Sequence, residues 1–361
     1  MTRMLKVLVV DDSAFVRKVV TQMLARSPFI EVVGMARDGA DALAQVERLR
    51  PDVITLDLVM PGMGGVEFLR EQMKRRPIPV VVCSITHESG AVALEALEAG
   101  AVDFVQKPTA LATDRIFEIA DELVAKVKVA AHVEFGMRAQ PAATVPIAPA
   151  EQKAPSAPRA LPRALATPEL IVIGISTGGP QALREMIPRL PAEFPVPIAI
   201  VLHMPIGYTR MYAQRLNDVA SLRVAEAGEG DSLDPGSVYI APAGRHLHVG
   251  RDDAGRLCVH LDVKPLDTPH RPAVDVLFET AADTCGERVL GIVMTGMGSD
   301  GLRGATHIKR RGGMILTEAE SSCVVYGMPR AVDEADLSDA HVSLGEMAGR
   351  MMEVVGWQSS S

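Results

Sequence analysis

Short apolar runs recur at regular intervals through the first third of the chain. Five of them, at 5–10, 31–34, 53–56, 80–83 and 102–105, have the apolar, β-branched character of strands buried on both faces. Helical patterns such as SAFVRKVVTQMLARS and DGADALAQVERLR lie between these runs. Strands that alternate with helices predict a doubly wound α/β domain with a five-stranded parallel sheet.

The stretch from about 139 to 168 interrupts this alternation. It has seven prolines among many alanines and little to bury, which indicates a semi-extended linker. Beyond it we predict strands at 170–175, 196–202, 237–240, 257–261, 289–295 and 312–316, and helices near 179–187, 208–217, 274–285 and 302–311. The predicted parts are an α/β domain at 1–125, a helical extension and Ala/Pro-rich linker at 126–168, and a larger, mainly parallel, doubly wound α/β domain at 169–356.

Composition narrows the classes of partner and compartment. Of the 361 residues 48% are hydrophobic, enough for two cores, and the net charge of −8 argues against nucleic acid as a partner. The four cysteines form no Cys-x-x-Cys pair, which is typical of reduced thiols rather than a disulfide framework or zinc site. The apolar runs are too short for a signal peptide or for the roughly 18 residues of a membrane span. We expect a cytoplasmic protein with no direct membrane insertion.

Polar residues follow the predicted strands of the first domain. Asp11 and Asp12 come after the first strand, Asp57 ends the third, and Ser84 and Lys107 follow the fourth and fifth. Right-handed crossovers bring the carboxyl ends of parallel strands to one edge, so these groups should converge there. Crowded carboxylates need a compensating cation, and oxygen ligands suit Mg²⁺. Asp57 could then attack a phosphoryl donor, with Lys107 adding positive charge.

A structural interpretation of the same residues is simpler. Asp11 and Asp12 could cap a helix, and Lys107 could be a solvated surface charge. Any one of the five residues fits that reading, but all five at strand ends fit it much less well.

Three residues of complementary chemistry end strands of the second domain. Ser176 in GISTGGP precedes a glycine-rich turn into a helix, where free N–H groups suit an anion or an oxyanion. His203 in VLHMP could accept the serine proton, and Asp300 in GMGSDG could orient the imidazole. Taken singly, these residues are more simply a tight turn, a structural histidine and a turn aspartate. Together they predict a serine nucleophile, a base and an acid.

Other assignments stay open at this point. GISTG fits the G-x-S-x-G elbow of α/β-hydrolases, but that order requires a histidine after Asp300: His307, in a predicted helix, or His341, in the polar tail. A non-enzymatic regulator that binds a nucleotide or a partner is the competing class of protein. GISTGGP lacks the spacing of G-x-G-x-x-G and has no P-loop lysine, which disfavours this class. A DNA-binding output is disfavoured because no compact basic helix-turn-helix is present.

The first domain resembles the receiver domain of two-component response regulators over residues 4–125. The resemblance rests on VLVVDDS, TLDLVMPGMGG, the hydroxyl of Ser84 and FVQKP. It implies a flavodoxin-like sheet, with Asp57 as phospho-acceptor, a metal held by Asp11, Asp12 and Asp57, and a switch formed by Ser84, Phe104 and Lys107. Gly64 and Val59 depart from the common pattern, which bears on the lifetime of the phosphoryl group.

The second domain resembles the catalytic domain of chemotaxis protein-glutamate methylesterases, from about 170 to 356. GISTGGP, HMPIGYTRMYAQRL, HRPAVDVLFETAA, MTGMGSDG and YGMPRAV carry the likeness. It implies Ser176 as nucleophile, His203 as base and Asp300 as orienting acid, with the Met297 N–H and Thr177 near the oxyanion. Leu202 and Ser299 depart from the common residues without touching the triad.

Together the two resemblances imply a response regulator that works as an enzyme. The expected reaction is hydrolysis of glutamyl methyl esters on the cytoplasmic domain of chemoreceptors, with deamidation of receptor glutamines as a second activity. A chemotaxis histidine kinase would be the phospho-donor, and ester cleavage needs no cofactor. The unphosphorylated receiver is expected to cover the esterase groove, and we expect a monomer.

Overall fold

The computed structural model of the chain describes residues 3–84, 90–107, 115–133 and 166–357. The first domain contains the strands β1 (Leu5–Val10), β2 (Ile30–Ala36), β3 (Val53–Asp57), β4 (Val80–Ser84) and β5 (Asp103–Gln106). They pair in parallel in the order β2-β1-β3-β4-β5, as the alternation predicts. Its helices are α1 (Ala14–Leu24), α2 (Gly39–Leu49), α3 (Gly65–Arg75), α4 (Gly90–Glu98) and α5 (Arg115–Ala130).

The second domain is built on a seven-stranded parallel sheet. Its strands are β6 (Leu170–Ile175), β7 (Ile198–Leu202), β8 (Arg223–Glu226), β9 (Ser237–Ile240), β12 (Val289–Val293), β13 (Met314–Glu318) and β14 (Ala340–Val342). Between β9 and β12 in the chain, β10 (His246–Arg251) and β11 (Leu257–Asp262) form a separate antiparallel hairpin. The order in the large sheet is β14-β13-β12-β6-β7-β9-β8. The chain therefore adds β7, β8 and β9 on one side of β6 and then β12, β13 and β14 on the other. The carboxyl ends of β6, β7 and β12 border the crevice where such sheets bind ligands.

Six helices accompany these strands. They are α6 (Gly179–Met186), α7 (Thr209–Asn217), α8 (Val274–Cys285), α9 (Leu302–Arg310), α10 (Met328–Glu334) and α11 (Leu344–Val354), with short 3-10 turns at Ile187–Arg189 and Gly286–Arg288. In the described part of the chain, no helix combines the length and apolar character needed to cross a membrane.

The predicted elements are present, and one predicted placement is wrong. His341 lies on β14 at the edge of the sheet, not in a polar tail. The predicted strand at 257–261 is present as β11, which pairs with β10 in the antiparallel hairpin and lies outside the large parallel sheet. β8, β10, β14 and α11 were not predicted, since short or polar-rich segments give weak periodicity. The proline-rich stretch at 139–168 lies almost entirely outside the described residues, so the linker stays a prediction.

The two domains contact each other through α4 and β5 of the first and α6 and α7 of the second. Gln181 on α6 donates hydrogen bonds to the carbonyl oxygens of Leu97 and Ala101, at 3.0 and 2.6 Å. The Glu98 carboxylate lies 3.1 Å from Arg184 and 3.2 Å from Arg215. Apolar side chains of both domains join in one buried cluster across this boundary.

Candidate active site and phosphorylation site

The acidic residues of the first domain converge as predicted. Asp11 and Asp57 are buried, 2% and 5% exposed, and Lys107 Nζ lies 2.7 Å from a carboxylate oxygen of each. One oxygen each from Asp11, Asp12 and Asp57 can lie within 4.8 Å of the others, a spacing that one cation can bridge. These hard oxygen donors fit a divalent ion such as Mg²⁺.

Burial and the ammonium of Lys107 act on this site in opposite directions. Burial raises the pKa of Asp57 despite its contact with Lys107. Burial alone would lower the pKa of Lys107, but the hydrogen bonds and charges of Asp11 and Asp57 outweigh it and raise that pKa. The site therefore sets the carboxyl groups of Asp11, Asp12 and Asp57 against one protonated lysine, which favours a further cation.

The residues of the expected switch differ in how much of their surroundings the structure describes. Ser84 ends β4, but its side chain lies outside the described part of the structure. Phe104 on β5 is 3% exposed, and its ring centroid lies 4.9 Å from that of Tyr208, in the second domain. Val59 is 66% exposed, and Gly64 precedes α3 without a side-chain cap. Of the switch residues, Phe104 thus contacts the neighbouring domain directly.

Ser176 occupies a tight turn between β6 and α6. Its N–H donates to the carbonyl oxygen of Thr295 at 2.9 Å, and its own carbonyl oxygen accepts from Gly179 N–H at 2.7 Å. Gly178 has a φ of +81°, and a Cβ there would stand 2.6 Å from Cβ of Val324, so the turn requires glycine. The turn leaves the serine half-buried at the sheet edge.

His203 and Asp300 meet at this edge. Nε2 of His203 lies 2.9 Å from Oδ2 of Asp300, and both side chains are about nine-tenths buried, with exposures of 10% and 9%. The Asp300 carboxylate also accepts hydrogen bonds from the N–H groups of Val274 and Asp275, at 2.8 and 3.0 Å, at the start of α8. Burial raises the pKa of Asp300, but the hydrogen bond and charge of His203, together with the two backbone donors, outweigh burial, and the net shift of the pKa is downward.

An ionised Asp300 can only accept a hydrogen bond, so it selects the His203 tautomer that carries its hydrogen on Nε2. Nδ1 is then the basic nitrogen. It is buried and has no hydrogen-bond partner among the described residues. A hydrogen bond from Ser176 Oγ to His203 is not formed within the described part of the chain, so the structure completes one of the two contacts of a Ser-His-Asp triad.

The expected oxyanion residues border the serine. A Cβ on Gly296 would stand 2.8 Å from Cβ of Ser176, which places the loop leading to Met297 against the candidate nucleophile. Among the described residues no hydrogen bond uses the N–H of Met297 or of Thr177, so both donors are free to bind an oxyanion.

The hydroxyl of Thr177 makes an interdomain contact that sequence reasoning did not foresee. Thr177 Oγ1 donates to Oδ2 of Asp103, on β5 of the first domain, at 2.5 Å. Lys126 Nζ holds the other oxygen of Asp103 at 3.0 Å and the carbonyl oxygen of Phe104 at 2.8 Å. The first domain thus binds the residue that follows the candidate nucleophile.

Three further residues of the site were not singled out by the sequence. Asp275 accepts hydrogen bonds from Gly301 and Gly304. The fully buried Glu318 accepts from the N–H of Thr295, whose carbonyl oxygen binds Ser176 N–H. His270 stacks on His203, with ring centroids 4.2 Å apart. Carboxylates and imidazoles of this kind carry no local signal of such contacts in the sequence.

The alternative order of triad residues is not supported. His307 on α9 pairs with Asp283 at 2.9 Å, and His341 on β14 contacts Thr317 and Asp333. Asp300 instead pairs with His203, which precedes it in the chain. The contacts of the described residues therefore favour the order Ser, His, Asp over that of the α/β-hydrolases.

Comparison with known proteins gives matches to both domains. A family model described as CheB methylesterase matches residues 171–351, and one described as response regulator receiver domain matches residues 7–120. The chain is 52% identical over 335 residues to the protein-glutamate methylesterase/protein-glutamine glutaminase 5 of Myxococcus xanthus, which covers 92% of this chain and 93% of that protein. It is 44% identical over 363 residues to the protein-glutamate methylesterase/protein-glutamine glutaminase of Symbiobacterium thermophilum, with 98% of each chain covered.

A solved structure supports the same relationship for the second domain. The crystal structure of the Thermotoga maritima CheB methylesterase catalytic domain matches with a TM-score of 0.51 and 38% sequence identity. The match covers 53% of this chain and 100% of that chain.

Proposed function

The chain belongs to the CheB methylesterase family, and we propose from this premise that it hydrolyses methyl esters of glutamate side chains in chemoreceptors under the control of its receiver domain. The observation that carries the proposal is the His203–Asp300 pair at the same sheet edge as Ser176. Family membership supports the reaction, and the geometry supports the residues that perform it.

In the proposed reaction Ser176 Oγ attacks the ester carbonyl carbon while Nδ1 of His203 takes its proton. The resulting oxyanion is bound by the free N–H groups of Met297 and Thr177. When the tetrahedral intermediate collapses, the C–O bond to the methoxy group breaks, and His203 protonates the leaving group to methanol. Water then attacks the acyl-serine with His203 again as base, which releases glutamate and restores Ser176. Asp300 stays ionised and stabilises the imidazolium.

The same acyl chemistry accommodates a glutamine side chain, with ammonia as leaving group. The relatives from Myxococcus and Symbiobacterium are named for both activities. We include deamidation of receptor glutamines as a second reaction of this site.

Control by phosphorylation is assigned to Asp57. Its carboxylate would accept the phosphoryl group from a chemotaxis histidine kinase, while Lys107 neutralises the added charge. Asp11, Asp12 and Asp57 would hold a divalent cation such as Mg²⁺, which, when bound, offsets the negative charge of the phosphoryl group. Ester cleavage is assigned to the protein's own side chains and backbone N–H groups.

The domain contact supports a covered state of the esterase before phosphorylation. Phe104 packs on Tyr208, and Asp103 binds Thr177 beside the nucleophile. Rearrangement at Asp57, Ser84 and Lys107 would repack Phe104 and release these contacts. We place the protein in the cytoplasm as a monomer, where kinase and receptor domain are both accessible.

The experiment that tests the proposed activity is methanol release from methylated receptor fragments. Wild type is compared with Ser176→Ala in the presence of a small phospho-donor and Mg²⁺. We expect release by wild type and loss of at least about a thousandfold in Ser176→Ala, because removal of a triad nucleophile leaves only oxyanion binding. Equal release by a folded Ser176→Ala protein would refute the assignment.

A further inference from the structure

His270 covers one face of the His203 imidazole. The two ring centroids are 4.2 Å apart and the ring planes differ by 28°, which is a stacked arrangement. His270 belongs to the HRPAVD stretch that leads into α8, where Val274 and Asp275 bind the Asp300 carboxylate. One short segment thus contacts both members of the His203–Asp300 pair.

A buried histidine, His246, anchors the loop that carries His270. His246 is fully buried; its Nδ1 accepts a hydrogen bond from Ala273 N–H at 3.2 Å, and its Nε2 lies 3.4 Å from Nε of Arg271. The carbonyl oxygen of Arg271 accepts from Gly244 N–H at 2.9 Å. Residues on either side of Pro272 are therefore fixed, and the position of His270 follows from them.

Stacking restricts the rotation of the His203 imidazole, which its one hydrogen bond to Asp300 does not. Its Nε2 is held by Asp300, but Nδ1 has no partner in the described part of the structure. A single hydrogen bond leaves the imidazole free to swing about that contact, whereas a ring packed on its face restricts this rotation. The same ring keeps water from that face, so Nδ1 stays available for the serine proton.

Burial, helped by neighbouring charges, keeps His270 neutral. Burial of the stacked face lowers its pKa to about 4; the neighbouring His203 and Lys126 of the receiver domain lower it too, while Asp300 opposes them. A neutral His270 does not repel the imidazolium that forms on His203 during the reaction. The residue as a whole remains accessible to solvent.

We propose that His270 is a positioning residue of the esterase, holding the His203 imidazole by stacking so that Nδ1 faces the nucleophile. The proposal rests on the proposed function. His270 acts through its ring surface, and no proton passes through it.

The test compares His270→Ala with His270→Phe in the full-length, donor-activated protein. Phenylalanine keeps a flat ring but cannot titrate or form a hydrogen bond, whereas alanine removes the ring. We expect His270→Ala to lower kcat about threefold to tenfold, as the loss of an aromatic pair implies, with KM changed less than about twofold. We expect the acid limb of its pH–rate profile to move to higher pH, because water then stabilises the His203 imidazolium. His270→Phe should retain kcat within about twofold and the wild-type profile.

Two outcomes would overturn the proposal. Wild-type kcat and pH profile in His270→Ala would show that the stack is not needed, and a His270→Phe protein as slow as His270→Ala would show that the imidazole acts chemically. Leu266→Ala, an exposed position of the same loop, is the matched control for loop damage. If wild type releases no methanol, the proposed function fails instead, so the two failures are distinguishable.

Discussion

Asp275 and Asp300 cap each other's helices. Asp300, just before α9, accepts hydrogen bonds from the N–H groups of Val274 and Asp275 at the start of α8. Asp275 in turn accepts from Gly301 and Gly304 at the start of α9, at 2.9 and 2.8 Å. Each carboxylate satisfies amides that have no partner within their own helix and lies at the positive end of a helix dipole. This reciprocal capping fixes the carboxylate that orients His203.

The first prediction concerns Asp300 itself. Asp300→Asn keeps the shape but removes the charge that selects the His203 tautomer, so kcat should fall by about 10³ to 10⁴. Methanol release measures the loss, and circular dichroism confirms that the protein is folded. Activity within tenfold of wild type would show that Asp300 is not the orienting acid.

The second prediction separates capping from charge at Asp275. Asp275→Ala leaves the Gly301 and Gly304 amides unpaired and should lower the free energy of unfolding by about 1–2 kcal/mol, as for other lost helix caps. It should also lower kcat, because the Asp300 loop loses its anchor. Asp275→Asn retains an acceptor oxygen and should lose less of both. Chemical denaturation and methanol release provide the two readouts; an alanine variant as stable as wild type would contradict the capping role.

The third prediction tests the domain contact. Asp103→Ala removes the acceptor that holds the Thr177 hydroxyl, and a lost hydrogen bond to a charged group weakens the covered state. Methanol release without a phospho-donor should rise severalfold, while the donor-stimulated rate stays within about twofold of wild type. Glu71→Ala, on the exposed face of α3, is the control. An unchanged basal rate in Asp103→Ala would mean that this contact does not restrain the enzyme.

The fourth prediction concerns pH. His270 should titrate near pH 4, well below its ordinary value of 6.5, because burial of its stacked face disfavours the charged form. With a lowered pKa, the stability that His270 contributes is present above about pH 6.5 and is lost as the pH falls through about 4. A histidine NMR titration reports the midpoint directly, with His270→Phe to assign the resonance. A midpoint near 6.5 would contradict the stacked geometry.

Much of the fold and the candidate site follows from the sequence. Buried strands such as β1, β3 and β6 are mostly apolar, and parallel sheets bring the residues at their carboxyl ends to one edge. This reasoning alone places Asp11 near Asp57, and Ser176 near His203 and Asp300.

Contacts between separate loops and domains did not follow from the same patterns. The hydrogen bond between Asp103 and Thr177 depends on how two domains dock, and neither residue carries a local sign of it. The mutual capping of Asp275 and Asp300 requires that two helix starts face each other, which periodicity does not encode. β14 has three residues, too few for a strand pattern, and this is why His341 was misplaced.

The central claim is that one chain couples a phosphorylatable receiver to a serine esterase. It is tested most directly by the ratio of methanol release with and without a small phospho-donor and Mg²⁺, in wild type and in Asp57→Ala, on methylated receptor fragments. We expect a ratio well above one in wild type and a ratio of one in Asp57→Ala, with Ser176→Ala inactive in every condition. Donor stimulation that survives in Asp57→Ala would contradict it.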